Sequence, residues 1–317
     1  MTEELELNAT VPESLVGQRL DRVLAQLFTD YSRARIQQWI KQDRVRVDGQ
    51  SPRTRDKVSG GETVQIHAVL ESQGEWKAES IPLFIVYEDE HLLVINKQAG
   101  LVVHPAIGNR TGTLVNALLH YAPELELVPR AGIVHRLDKD TTGLLIIART
   151  VIAHKALIEM MQRRDIQREY EAIVQGVMTA GRTIDAPIGR HPIQRLRMAV
   201  TKNGRDAVTH YRVLERYRAH SYIRVKLETG RTHQIRVHMA HINYPLLGDP
   251  VYGGRLRIPA GCSDDLSDQL HRFRRQALHA ARLQLTHPVT GIEMEWSAPL
   301  PDDMTKLLVV LREDVKQ

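Results

Sequence analysis

Two rhythms of apolar and polar positions run along this chain. Leu20, Val23, Leu24 and Leu27 recur at i, i+3, i+4 and i+7, the spacing of an amphipathic helix. Ile36, Trp39 and Ile40 give a second helix its inner face, with Ser32 placed to cap its start. The rhythm then shortens to two. Arg44 to Val47 alternates, Asp48-Gly49 supplies a hairpin turn, and Thr63 to Ile66 alternates again. These positions predict a small helix–helix–strand unit over residues 17–69, behind an N-terminal segment, 1–16. The mixed-charge stretch 70–80 has little apolar period and reads as a linker.

Residues 81–317 form the larger unit. Strand-like runs occur at Pro82 to Tyr87, Leu92 to Asn96, Arg168 to Val174, Val208 to Tyr217, Tyr222 to Leu227, Leu278 to Leu283 and Met294 to Trp296. Helical spacing occurs at Thr113 to Tyr121, Ile152 to Arg163 and Asp302 to Arg312. A further helix follows Gly230 and carries Ile235, Val237, Met239 and Ile242, while 255–276 reads as a charged, irregular insertion. Many strands joined by turns, with few helices between them, predict an α+β domain built on a mixed, mostly antiparallel sheet.

Composition narrows the partners. The 317 residues carry a formal charge of +5, a modest excess that suits a polyanion. A single cysteine, Cys262, excludes an internal disulfide and a cysteine-based metal site and fits a reducing cytoplasm. The opening MTEELELNAT is acidic and polar, unlike a secretory signal. No apolar run approaches the ~20 residues that span a bilayer. The expectation is a cytoplasmic monomer without a membrane partner. In the small unit, Arg19, Arg22, Arg33, Arg35, Lys41, Arg44 and Arg46 crowd two helices and a strand. They read as a phosphate-holding face, or as a solvated one balanced by Asp21, Asp30 and Asp43. The same alternatives stand for Arg190, Arg195, Arg197 and Lys202 in the turn-rich stretch 189–206.

One stretch gathers more chemistry than any other. Gly132 to Gly143, reading GIVHRLDKDTTG, sets a polar turn between a short apolar segment and the longer run Leu144 to Ala148. Both apolar pieces read as buried strands, so the turn is held on a rigid scaffold and opens to a cleft. Asp138 is its candidate reactive group. A neighbouring guanidinium such as Arg136 keeps a carboxylate ionised, ready to act as base or nucleophile. A structural turn, closed by Asp140 or Thr141, is the plainer alternative. His233 and His238, five apart, do not share a helix face, and His238 and His241 lack a carboxylate set, so no metal site is expected. His135 reads as a hydrogen-bonded partner of the turn. Lys97 reads either as a structural ion pair or as a charge facing a polyanion.

Three motifs in this order resemble the RluA family of RNA pseudouridine synthases: YEDEHLLVINKQAGLVVHP, HRLDKDTTGLL and LETGRTHQIRVH. The family commonly has Pro where Gln98 follows Lys97, a departure that alters a backbone constraint and not the chemistry. RLDRVL with SRARIQQWIKQDRVRVDG resembles the S-four-type RNA-binding domain. The resemblance implies isomerisation of uridine to pseudouridine in large-subunit ribosomal RNA, free or within a pre-ribosomal particle, with no cofactor and no metal. It implies Asp138 as the nucleophile on a flipped-out uridine and Arg231 as its ion-pair partner. By the same resemblance Tyr170 packs against the base, Leu227 shapes the pocket floor, and Arg136 occupies the place the base vacates. The rival readings are an RNA-clamping ribosome assembly factor without chemistry, and a metal-dependent RNA hydrolase.

Overall fold

The computed structural model describes residues 3–28, 31, 33–70, 76–105, 109–194 and 197–315. Ser32, Asp30 and Arg195 lie outside the described residues.

The small unit builds on the expected helices, α1 (Leu20–Leu27) and α2 (Arg33–Lys41), and strands β2 (Val45–Val47) and β3 (Thr63–Leu70). It differs at its start. Residues 3–10 form a strand, β1 (Glu3–Thr10), paired antiparallel with β3 along its whole length. The N-terminal segment is therefore part of this unit's sheet. Leu5, Leu7 and Ala9 pack on the core of Leu20, Val23, Leu24, Ile36, Trp39 and Ile66, while Glu6 and Asn8 face out. Period-two alternation was present in ELELNAT, half hidden by its acids.

The large unit runs β4 (Ile85–Glu88), β5 (Leu92–Lys97), α3 (Leu114–Tyr121), β6 (Thr142–Ala148), α4 (Val151–Arg163), β7 (Gln167–Gln175), β8 (Arg182–Asp185), β9 (Ile188–Arg190), β10 (Met198–Val200), β11 (Val208–Arg216), β12 (His220–Leu227), α5 (Gln234–His241), α6 (Asp264–Arg272), β13 (Leu278–Thr286), β14 (Glu293–Ser297) and α7 (Asp302–Asp314). Among the described residues the main sheet has the order β4-β5-β6-β13-β7-β12-β11-β8, with β14 also on β13. Only β6 and β13 pair in parallel, so the mixed, mostly antiparallel expectation is met.

Strands β5 and β6 are apolar at nearly every position because both sheet faces are covered. Leu93, Ile95, Leu145 and Ile147 join the core beneath α3, while Leu92, Val94, Leu144 and Ile146 pack toward α4 and Trp296. Helices α6 and α7 cover the far side of β7 and β12 through Leu266, Leu270, Met304, Leu307 and Leu308. Helix α6 corrects the irregular reading of 255–276. Ser263 caps it by accepting from the Leu266 N–H, and Asp264 and Asp265 occupy its first turn, where the helix dipole favours them.

Candidate active site

The polar turn 133–141 stands at the head of β6, and its apolar entry is not a strand. Ile133 makes a single bridge to Ile147. Two glycines fix the ends. A Cβ on Gly132 would lie 1.9 Å from the Ala148 carbonyl oxygen, and one on Gly143 would lie 2.3 Å from that of Ala280. Both adopt positive φ, 77° and 108°, so glycine is required twice over. Arg130 and Ala131, just before, also hold positive φ, which costs a residue with a Cβ strain energy.

The turn is tied down from inside. Lys97 is buried, and its ammonium donates to the carbonyls of Gln98, Leu101 and Lys139 at 2.8, 2.9 and 2.8 Å. Its role is thus structural. Burial pushes its pKa down to about 7, against the pull of Asp140 and Asp138. Arg275 donates to the Asp140 carbonyl and Gln276 to the Thr141 hydroxyl. His135 accepts from the Ile146 N–H through Nε2 as a neutral ring, burial having driven its pKa down to about 3. It is the partner of the turn that the sequence suggested.

Asp138 projects from this turn into a pocket of about 550 Å³. Its Oδ2 accepts from Arg236 Nη1 at 2.8 Å. The partner is therefore Arg236 and not Arg231, which donates instead to the Asp206 carbonyl at 2.9 Å while its edge lines the pocket. The reason is burial. Arg236 sits in the first turn of α5, 5% exposed, and its fork grips Asp249 through Nε and Nη2 at 2.7 and 2.9 Å. Asp249 also accepts from the Val251 and Tyr252 N–H groups. Burial alone would raise the Asp249 pKa, but the Arg236 contacts hold it below the ordinary range. Tyr252 lies under the guanidinium at 5.0 Å.

His233 approaches Asp138 Oδ1 at 3.7 Å. His233 Nδ1 and the Tyr252 hydroxyl are hydrogen-bonded at 2.9 Å, and that hydroxyl also accepts from the Met198 N–H. Burial lowers the His233 pKa, against the pull of Asp138 and Asp249. His238 is saturated by Thr209 and the Ala186 carbonyl, a core histidine.

Across the sheet, Gly143, Ala280, Tyr170 and Val225 stand in register on neighbouring strands. Tyr170 is buried opposite the turn and lines the pocket with Leu227. Burial raises its pKa, as does the Asp138 charge, while Arg168 opposes them. Arg136 is exposed at the mouth. The five site residues read from the large unit, Arg136, Asp138, Tyr170, Leu227 and Arg231, all line one pocket, Arg231 without its assigned partner. Arg236 lay in the same motif. Its only available signal was that an arginine on the buried face of a helix needs a carboxylate, which Asp249 supplies.

In the small unit Arg19 and Arg33 both bind the buried carboxylate of Asp21, as does Gln37. Arg46 pairs with Asp43. Arg22, Lys41 and Arg44 are exposed. A second groove, of about 560 Å³, runs between the two units, lined by Tyr31, Arg33, Arg35 and Lys155, and shares Arg130, Ile133 and Val134 with the pocket of Asp138. The basic stretch 189–206 contains the β9–β10 hairpin, with Arg197 stacked toward Tyr252 at 6.0 Å.

A carboxylate fixed by a buried guanidinium, in an open-mouthed pocket that a tyrosine also lines, is a site suited to covalent or acid–base work. Residues 91–241 match the RNA pseudouridylate synthase family, and residues 18–64 match the S4 domain. The chain belongs to the RNA pseudouridylate synthase family and is an isomerase. It is 59% identical over 314 residues to the ribosomal large subunit pseudouridine synthase D of Pseudomonas aeruginosa, covering 99% of this chain and 98% of that one. The protein of the same name from Escherichia coli K12 is 56% identical over 318 residues, covering 100% and 98%. Among solved structures, human RNA pseudouridylate synthase domain containing 4 superposes with a TM-score of 0.58 at 28% identity, covering 72% of this chain and 93% of that one.

Proposed function

We propose that this chain converts uridine to pseudouridine in large-subunit ribosomal RNA, with Asp138 acting on a uridine turned out into the pocket. The observation that carries this is the fixed, partly open carboxylate of Asp138, with one oxygen on Arg236 and the other 3.7 Å from His233, in a pocket that Tyr170 also lines. The isomerisation breaks the bond from ribose C1′ to N1 and makes one from C1′ to C5, with the C5 proton lost and a proton gained at N1. Substrate and product have the same atoms, so no redox carrier is consumed. Asp138 cannot reach a stacked base, so the uridine must be extruded. Tyr170 then packs on the uracil, Leu227 forms the floor, Arg231 borders the substrate, and Arg136 fills the vacated place in the RNA. A base stacked on a tyrosine gains about 1–3 kcal/mol.

The large-subunit assignment rests on the two bacterial relatives, which carry that substrate in their names. The small unit supplies affinity. Arg22, Lys41 and Arg44, with the outward faces of Arg19, Arg33 and Arg35, grip phosphates, and the groove between the units leads the strand to the pocket. The protein works as a monomer in the cytoplasm, on free RNA or on a pre-ribosomal particle.

Pseudouridine mapping of large-subunit RNA and of pre-ribosomal particles, with wild type and Asp138→Asn, tests this reading. Wild type converts specific uridines, and the variant binds RNA as well but loses at least about a thousandfold in rate, the scale of a removed nucleophile. Equal binding with no conversion by either protein would leave an RNA clamp.

A further inference from the structure

The pocket wall holds a second buried cation. Arg168 lies on β7 two residues before Tyr170, so strand alternation turns both side chains to the same face, and both line the pocket. Arg168 is 6% exposed, and its Nε is sealed from water without a hydrogen-bond partner. The other two buried arginines among the described residues are each held by carboxylates, Arg236 by Asp138 and Asp249 and Arg275 by Asp303. Among the described residues no carboxylate pairs with Arg168. Its Nη groups are not sealed and also lack a hydrogen bond among the described residues, so they are the part of this buried cation that an acceptor on a ligand in the pocket can reach.

The backbone makes room for it. A Cβ on Gly230 would lie 2.9 Å from Arg168 Nη1, so the glycine of LETGRTH is where the guanidinium passes under the loop. The charge is felt across the pocket, lowering the pKa of His135 and opposing the rise at Tyr170.

The ligand that reaches this depth is the base. Phosphates stay at the mouth, where Arg130 and Arg136 are exposed. Uracil offers carbonyl oxygens at C2 and C4, and the reaction makes them more negative. Attack of the carboxylate at C1′ breaks the C1′–N1 bond and leaves its electron pair on the base, shared among N1, O2 and O4. Attack at C6 instead pushes the pair through C5 and C4 onto O4. Either route builds charge on a carbonyl oxygen, and a fixed, buried cation on the pocket wall is placed to stabilise it.

We propose that Arg168 is a catalytic residue of this reaction, donating to a uracil carbonyl oxygen and stabilising the negative charge the base acquires as its bond to the sugar is broken. This rests on the uridine-isomerisation reading above.

The test pairs enzyme and substrate changes. Single-turnover rates are measured on an RNA hairpin carrying the target uridine, and on the same hairpin with 2-thiouridine or 4-thiouridine there. Sulfur is the weaker acceptor, so one thio substitution slows wild type by about tenfold. Arg168→Met binds the hairpin with unchanged Kd, reacts about 100-fold more slowly at saturation, and no longer distinguishes oxygen from sulfur. Should the Met variant fold poorly, Arg168→Lys carries the test, expected to retain part of the rate with a reduced thio effect. A Met variant with wild-type rate, a thio effect undiminished in either variant, or a loss confined to Kd would overturn the assignment, the last by making Arg168 a phosphate contact. If wild type converts no uridine, the functional reading fails first. If it does convert, any of those results removes Arg168 alone.

Discussion

Carboxylates meet guanidinium groups in two clusters of opposite make-up. In the small unit one carboxylate serves two arginines. Arg19 binds Asp21 through Nε and Nη2 at 3.1 and 2.9 Å, and Arg33 does so at the same distances. In the large unit one arginine serves two carboxylates, Arg236 binding Asp249 and Asp138. The stoichiometry decides what faces outward. The Asp21 side chain is fully buried while Arg19 and Arg33 remain 43% and 48% exposed, so the cluster turns positive charge to solvent. Around Arg236 the arginine and Asp249 are buried, and Asp138 keeps 18% of its side chain open, so the cluster turns negative charge to the pocket. One arrangement presents positive charge at the surface, the other a carboxylate oxygen in the pocket.

The largest expected effect comes from removing the shared arginine. Arg236→Met strands the buried Asp249 and should cost about 3–5 kcal/mol in urea unfolding of the full chain, the scale of a broken buried pair. Arg236→Lys should recover little, because an ammonium cannot bind Asp249 with a fork and still reach Asp138. Both should slow isomerisation at saturating RNA while leaving RNA affinity in place. A loss under about 1 kcal/mol, within the range of an exposed pair, would mean that the two clusters do not differ in the way their burial implies.

These clusters also mark how far the chain could be read before it was seen folded. Asp138, Tyr170 and Leu227 were singled out through short motifs, Tyr170 and Leu227 by resemblance alone, and the structure brings the three to one pocket. The pairing of Asp138 was not legible. Arg231 and Arg236 occupy one motif, and which of them is buried depends on where α5 starts and on Asp249, thirteen residues further on. The fold followed the same division. Continuous apolar runs gave β5 and β6, but β1 carries only Leu5, Leu7 and Ala9 between acids, and α6 only Leu266 and Leu270 on its buried face. Arg168 has no local signal at all, since its meaning lies in a missing partner.

An intermediate effect is expected at Asp21. Asp21→Asn removes the charge that two arginines and Gln37 contact, and should lower hydrogen-exchange protection in β2 and β3 by about 2 kcal/mol at neutral pH. The isomerisation rate at saturating RNA should not change. The pH dependence has a definite sign. Burial would raise the Asp21 pKa, but its partners hold it well below the ordinary carboxylate range. A carboxylate so lowered stabilises the fold above its unfolded pKa of about 3.9 and loses that contribution as pH falls below it. Protection in the small unit should therefore drop through that acid range in wild type, and less steeply in Asp21→Asn. The same slope in both would show that Asp21 does not carry the linkage.

The smallest effect separates the charges within the small unit. Arg22 and Arg44 are exposed, whereas Arg19 and Arg33 are held by Asp21. A free phosphate-binding cation releases a counterion when RNA binds, so removing it lowers the slope of log affinity against log salt by about 0.7–0.9. Arg22→Ala and Arg44→Ala should each produce that change, with modest losses of affinity at moderate salt and no change in the rate at saturation. Arg19→Ala should change the slope less, because part of its charge is already answered by Asp21, and should instead weaken hydrogen-exchange protection at the start of α1. Equal salt slopes for Arg19→Ala and Arg44→Ala would mean that RNA draws Arg19 away from Asp21. The cluster that looks closed would then be a reserve of phosphate-binding charge, opened by the substrate.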